Sequence, residues 1–261
     1  MHLGLTQYTA CSEGTKFVEN AARLGVEGAE PFIGSPDDKL LNLPTGKLHE
    51  LRNKAMDLGV RIPSACLGAF NNDSSLVESS GKAKAIAFIE KFLDFSHALG
   101  SDLMLLCSYI ESHPDSEIKK TNMINVVQEI LPYAADLDVR IAIESPLPAD
   151  ELKEMIQTID SEQVGVYFDT GNAVANGYDP VEEIETLDQD IFAVHIKDCH
   201  SLQLLGLHLG NGDVDFPGSV EALKKIEYDD WLMIETSGDD EEAVKEDIQR
   251  LRAFWNEAGE D

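Results

Sequence analysis

A chain of 261 residues, 43% of them apolar, can bury one large core, and at this length an α/β barrel of about 250 residues is the commonest one-domain solution. The formal charge of −29 is dispersed along the chain, so the surface repels phosphate backbones and anionic bilayers, and neither nucleic acid nor membrane is expected as a partner. No stretch approaches the roughly 18 apolar residues of a membrane span, and Met1 leads into HLGLTQY without a basic segment followed by an apolar one, so a cytoplasmic chain is expected.

In chain order, eight short apolar runs read as strands: HLGLT at 2–6, VEGAE at 26–30, VRIPSAC at 60–66, DLMLLC at 102–107, VRIAIE at 139–144, VGVYFD at 164–169, IFAVHIK at 191–197 and WLMIE at 231–235. They are often β-branched, as expected of strands buried on both faces. Between them the apolar period becomes helical. Phe17, Val18, Ala21 and Leu24 mark one face, as do Ile124, Val127, Leu131 and Ala134, and then Val244, Ile248, Leu251 and Trp255. Gly25, Gly59 and Gly100 stand where left-handed residues would end helices. Asp179-Pro180-Val181-Glu182 offers an N-cap, a proline at the first helical position and a capping-box glutamate.

Eight alternations predict a (β/α)8 TIM barrel that takes residues 1–261 as a single domain. An open doubly wound sheet is the competing architecture, but no GxGxxG turn follows the first strand. The four cysteines, Cys11, Cys66, Cys107 and Cys199, form no CxxC and read as reduced, buried thiols, one or two of which could line the barrel mouth. High-salt adaptation is the simplest source of the dispersed acidity, since screening relieves self-repulsion.

Four residues carry the chemistry. Glu144, Asp169, His195 and Glu235 sit at or near the carboxyl ends of strands five to eight, the end where a barrel places its active site. Neighbouring carboxylates there would repel without a cation, so three carboxylates and an imidazole read as a ligand set for one divalent ion. Three oxygens and one nitrogen suit manganese, magnesium, cobalt or zinc, bound once per chain. Singly, each residue has an ordinary reading: Glu144 or Glu235 as a strand-end ion pair, Asp169 as a helix N-cap, His195 as a core histidine.

The pattern Glu144, Asp169-Thr170-Gly171-Asn172, His195-Ile196-Lys197-Asp198, Gly210-Asn211-Gly212-Asp213-Val214-Asp215-Phe216 and Glu235 resembles the sugar phosphate isomerase/epimerase superfamily of xylose isomerase-like TIM barrels. D-tagatose 3-epimerase-like enzymes, inosose dehydratases and hydroxypyruvate isomerases belong to it. The resemblance implies that Glu144, Asp169, His195 and Glu235 are metal ligands and that Glu144 and Glu235 form an acid/base pair on opposite faces of a sugar. The chain departs from the epimerase pattern at Asn172, where those enzymes place a histidine, and at Ser201, near where they carry an arginine. Asn172 and Lys197 are candidate substrate contacts, with an ion pair to Asp198 or Glu235 as the other reading of Lys197. Glu30, closing strand two, and His208 are further candidates, against ordinary ion-pair or surface roles.

The implied function is a metal-dependent isomerase or epimerase acting on a ketose, aldose or related polyol ketone. Lys197 is the one visible cation of an acidic mouth, which favours an unphosphorylated sugar. The alternatives are an inosose dehydratase-type lyase, a sugar-binding barrel without catalysis, and an apurinic endonuclease-like hydrolase, which the charge and the single ligand histidine disfavour. Homo-oligomerisation stays open at this point.

Overall fold

A computed structural model describes residues 1–10 and 14–258, leaving out the side chains of Leu204 and Leu205; Cys11 therefore lies outside the described residues. In chain order the elements are β1 (His2–Thr6), α1 (Phe17–Leu24), β2 (Gly28–Glu30), β3 (Phe32–Ile33), α2 (Thr45–Asp57), β4 (Ser64–Leu67), α3 (Lys82–Leu99), β5 (Leu103–Cys107), α4 (Glu117–Asp136) and β6 (Arg140–Glu144). Then come α5 (Ala149–Ile159), β7 (Val164–Asp169), α6 (Thr170–Ala175), α7 (Pro180–Leu187), β8 (Ile191–Ile196), β9 (Asp198–His200), β10 (Gln203–Leu207), α8 (Phe216–Lys225), β11 (Trp231–Ile234) and α9 (Glu241–Glu257).

Nine parallel segments form one sheet in the order β2-β1-β11-β8-β7-β6-β5-β4-β3. Its two ends, β2 and β3, are halves of a single stave separated by Pro31, which has no N–H to donate. Pro31 O still accepts from Cys66 N at 2.8 Å, and Gly28 bridges Arg61, so the ring closes as an eight-staved barrel wrapped in helices. All eight expected strands are present. The third starts later than its apolar run, at Ser64, because Pro63 interrupts the pairing and only Arg61 reaches across to the neighbouring stave.

Two apolar layers result from the two-residue period of the strands. Met104 and Leu106, Ile141 and Ile143, Val166 and Phe168, Val194 and Ile196, and Leu232 and Ile234 face the helices in the larger cluster. Leu103 and Leu105, Ala142, Tyr167, Ala193, and Trp231 and Met233 fill the barrel interior. Two residues further along each inward series come Cys107, Glu144, Asp169, His195 and Glu235, so strand parity alone aims this set inward at the carboxyl end.

Gly25, Gly59 and Gly100 take φ of 76°, 73° and 76° at helix ends, as expected. Asp179 caps α7 by accepting from Val181 N at 2.9 Å. The α1 face is buried as read. On α4 the buried stripe is Met123, Val126, Val127, Ile130 and Ala134, with Ile124 and Leu131 only partly covered, because two overlapping apolar stripes share this helix and period alone does not choose between them. Trp255 at the end of α9 is likewise half-buried, with the Lys224 ammonium 5.4 Å from its ring centre. The antiparallel pair β9–β10, which follows β8, was not expected.

Candidate active site and metal centre

Asp169 and His195 pair in register on β7 and β8, while Glu144 ends β6 and Glu235 follows β11. The sheet order β11-β8-β7-β6 puts the two glutamates at the ends of this arc, with the aspartate and histidine between them. One ligand atom from each of Glu144, Asp169 and His195 lies within 4.8 Å of the others. Glu235 stands beside this trio, its Oε2 3.4 Å from His195 Nδ1 and 3.2 Å from Lys197 Nζ. Lys197 Nζ is also 3.7 Å from Asp169 Oδ2.

Asp169 divides its two oxygens. Oδ1 accepts from Asn172 N at 2.8 Å and caps α6, whereas Oδ2 is buried without a hydrogen-bond partner. His195 Nδ1 is unpartnered in the same way, its Nε2 lying 2.9 Å from Glu30 Oε1. Buried polar atoms seldom go unsatisfied, so two of them facing one point describe a place for a cation. The charge balance agrees: the four carboxyl groups of Glu30, Glu144, Asp169 and Glu235 surround one imidazole, His195, and one ammonium, Lys197. By geometry and donor chemistry the residues fit a divalent ion.

The electrostatics follow from burial and close neighbours. Burial raises Asp169 to about 7 against the pull of Lys197. Burial also pushes Glu144 up, opposed by His195. Glu235 goes the other way: burial would raise it, but Lys197 and His195 together hold it below the usual carboxylate range. For His195 burial disfavours the imidazolium, yet Glu30 and Glu235 outweigh it and lift the ring to about 10. Lys197 is raised by Asp169 and Glu235 despite its own burial.

Asn172 amide Nδ2 donates to Glu144 Oε1 at 2.8 Å and to the Tyr109 hydroxyl at 3.2 Å, while its buried Oδ1 has no partner. Cys107 Sγ–H donates to Glu144 Oε2 at 3.3 Å, so both oxygens of this glutamate are held. Behind Asp169 and Asn172 a chamber of about 20 Å3, lined also by Tyr109, Asn176 and Tyr178, has room for one water. Tyr109 was missed by sequence reasoning. It lies two residues beyond Cys107 on the same inward series, which is the signal that would have found it.

Two candidates have partners other than a substrate. Glu30 is 1% exposed and bonded to His195, Tyr167 and Ser64, so it sits below the mouth rather than facing it. His208 Nδ1 is 2.7 Å from Asp247 Oδ2, and Asp247 also accepts from Leu209 N and Thr236 Oγ1, which ties the loop after β10 to α9. Lys197 has the Glu235 ion pair and not one with Asp198. The Asp198 carboxylate accepts instead from Gly210 N, Gly212 N and Val214 N, anchoring the Gly-Asn-Gly-Asp segment. A Cβ on Gly212 would collide with that carboxylate, which explains the glycine. Ser201 donates its N–H to Asp213 and brings no cation. Of the cysteines, Cys66 and Cys107 lie 3.5 Å apart inside the barrel, Cys199 donates to Gly171 O, and all three are free thiols.

The closed parallel barrel agrees with the family described as xylose isomerase-like TIM barrel, whose model matches residues 18–254. The chain belongs to that family. An L-ribulose-5-phosphate 3-epimerase UlaE of Escherichia coli (strain SMS-3-5 / SECEC) is 24% identical over 241 residues, covering 89% of this chain and 85% of the relative. The crystal structure of a D-tagatose 3-epimerase-like protein superimposes with a TM-score of 0.83 at 21% identity, over 100% of this chain and 99% of that one. The structure of L-ribulose 3-epimerase does so with a TM-score of 0.82 at 17% identity, over 99% and 96%. Two of these relatives are named as sugar epimerases and the third as epimerase-like, and the two superpositions show the shared fold.

Proposed function

We propose that the chain is a divalent-metal-dependent sugar epimerase or isomerase acting on an unphosphorylated ketose or related polyol carbonyl compound, with the whole of residues 1–261 as one domain. Glu144, Asp169, His195 and Glu235 would hold the ion. The observation that carries this reading is the convergence of Glu144, Asp169 and His195 within 4.8 Å at the barrel mouth, with Asp169 Oδ2 and His195 Nδ1 unsatisfied. Relatives named as sugar epimerases, one of them for a 5-phosphate, support the class of reaction.

A divalent ion bound here would polarise a carbonyl and its adjacent hydroxyl, which acidifies the hydrogen on the carbon between them. The chain's own contribution is to supply proton carriers on two sides. Glu144 is fixed by Asn172 and Cys107, and Glu235 is held ionised by Lys197 and His195. One glutamate removes the carbon-bound proton and keeps it, and the other, entering protonated, delivers its own proton to the opposite face for epimerisation or to the neighbouring carbon for isomerisation, so the pair exchanges protonation states in a turnover. Dehydration begins with the same abstraction, but the second glutamate would then protonate a β-hydroxyl that leaves as water instead of returning a proton to carbon. Asn172 Oδ1, buried and unpaired, is an acceptor suited to a sugar hydroxyl.

Lys197 favours a neutral sugar over a phosphate. It is the ammonium among the site residues, Glu235 and Asp169 already engage it, and among the described residues no arginine fork of the kind that grips phosphate joins it. The test is metal-dependent deuterium incorporation from deuterium oxide into free ketoses and, in parallel, their phosphates. Exchange with free sugars is expected, and exchange confined to the phosphates would refute the substrate class.

A further inference from the structure

We propose that Glu30 is the positioning residue of the metal centre: it keeps the proton on His195 Nε2 and thereby presents Nδ1 to the ion. This rests on the reading above, that a divalent ion binds among Glu144, Asp169 and His195. Glu30 Oε1 lies 2.9 Å from His195 Nε2, and a carboxylate can only accept, so the Nε2 proton stays on the ring. The other oxygen, Oε2, accepts from the Tyr167 hydroxyl at 2.8 Å and from Ser64 Oγ–H. With both oxygens engaged, the carboxylate cannot rotate toward the mouth. The Tyr167 ring also packs on the imidazole, centroids 4.5 Å apart and planes at 51°, which restricts the ring's tilt.

The four participants come from β2, β4, β7 and β8, so the contact spans the barrel interior, and strand register rather than a loop sets the direction of Nδ1. A buried carboxylate costs several kcal/mol to desolvate and needs charge-assisted partners to offset it. For stability alone, an apolar side chain in this interior layer would serve as well or better. A carboxylate on the remote nitrogen of a ligating histidine does more: it sets the tautomer and raises the basicity of the ligand atom. Glu30 thus acts through His195 and not on a substrate.

The experiment is calorimetric titration of Mn2+ into the metal-stripped full chain and its E30Q, E30A and Y167F variants. It is paired with 15N-histidine NMR of the Zn2+-loaded wild type. E30Q, nearly isosteric, and E30A are expected to bind Mn2+ roughly 10- to 100-fold more weakly, with the larger loss for E30A. Y167F leaves the Glu30–His195 contact in place and is expected to lose less than E30Q. The spectra should show a proton on His195 Nε2 and the ion on Nδ1. Wild-type affinity in folded E30Q, ligation through Nε2, or a Y167F loss equal to that of E30Q would each overturn the assignment. E30Q and Y167F keep the test decisive if E30A does not fold. A wild type that fails to bind Mn2+ would instead remove the metal reading on which the assignment stands.

Discussion

Asp169 has two jobs that an isolated sequence motif makes look like rivals. Asp-Thr-Gly-Asn reads equally as a helix cap and as a ligand, and the structure gives one oxygen to each: Oδ1 to Asn172 N, Oδ2 unpartnered beside His195. Such residues were legible because a strand end at a barrel mouth constrains them from two directions. Glu30 and His208 were legible only as acid and base near the mouth. What they touch depends on Tyr167, Ser64 and Asp247, which are far away in sequence and come together only through barrel closure. The proposed proton carriers are testable at this scale. Replacing Glu144 or Glu235 by Gln preserves shape and most hydrogen bonds but removes a base and an anionic ligand together. Turnover is expected to fall roughly 100- to 10,000-fold in each variant with little change in thermal stability. Steady-state rates on a substrate found by deuterium exchange, beside a melting curve, check both halves, and near wild-type turnover in either variant would end that residue's assignment.

The strands were readable as elements because burial on both faces leaves uninterrupted apolar runs, and glycines mark three helix ends plainly. Other ends were hidden. Asp160, at the end of α5, adopts φ of 55°, as Asp138 and Asp188 do at 54°. In a chain with 49 acidic residues an aspartate carries no punctuation. The β9–β10 pair was missed for another reason: it grows from the His-Ile-Lys-Asp segment, and its Asp198 organises a loop ten and more residues away. That long-range anchor can be measured. Asp198→Ala would leave three backbone N–H groups without their acceptor, at about 1–3 kcal/mol for each that stays buried. Amide hydrogen exchange at Gly210, Gly212 and Val214 is expected to speed up selectively, with β-strand amides on the far side of the barrel unaffected. Unchanged protection at these three positions would show that the loop is held by something else.

At the scale of the whole molecule the fold and the charge make separate demands. Barrel closure was legible from the count of alternations, but nothing in that pattern needs a net charge of −29, and the site accounts for only a few of those carboxylates. Many remaining acids pair with lysines on the surface, as Glu50 does with Lys47 at 2.6 Å and Glu185 with Lys225 at 2.8 Å. Exposed pairs of this kind are worth at most about 1 kcal/mol and weaken with salt. Salt therefore acts in both directions, screening attraction within pairs and repulsion among the acids left over. With 49 acidic residues against 20 basic ones, the unpaired acids outnumber any pairs that could be lost. Shortening the Debye length from about 10 Å at 0.1 M to about 3 Å at 1 M should thus relieve more repulsion than it costs in attraction. The melting temperature is expected to climb steadily from low to molar potassium chloride, by roughly 2–4 °C for each kcal/mol of repulsion relieved. Because the site carboxylates are buried and less screened, that rise should also appear in metal-stripped protein. A flat or falling curve in calorimetry would mean that the surface pairs balance the excess charge, and high-salt adaptation would no longer explain the acidity.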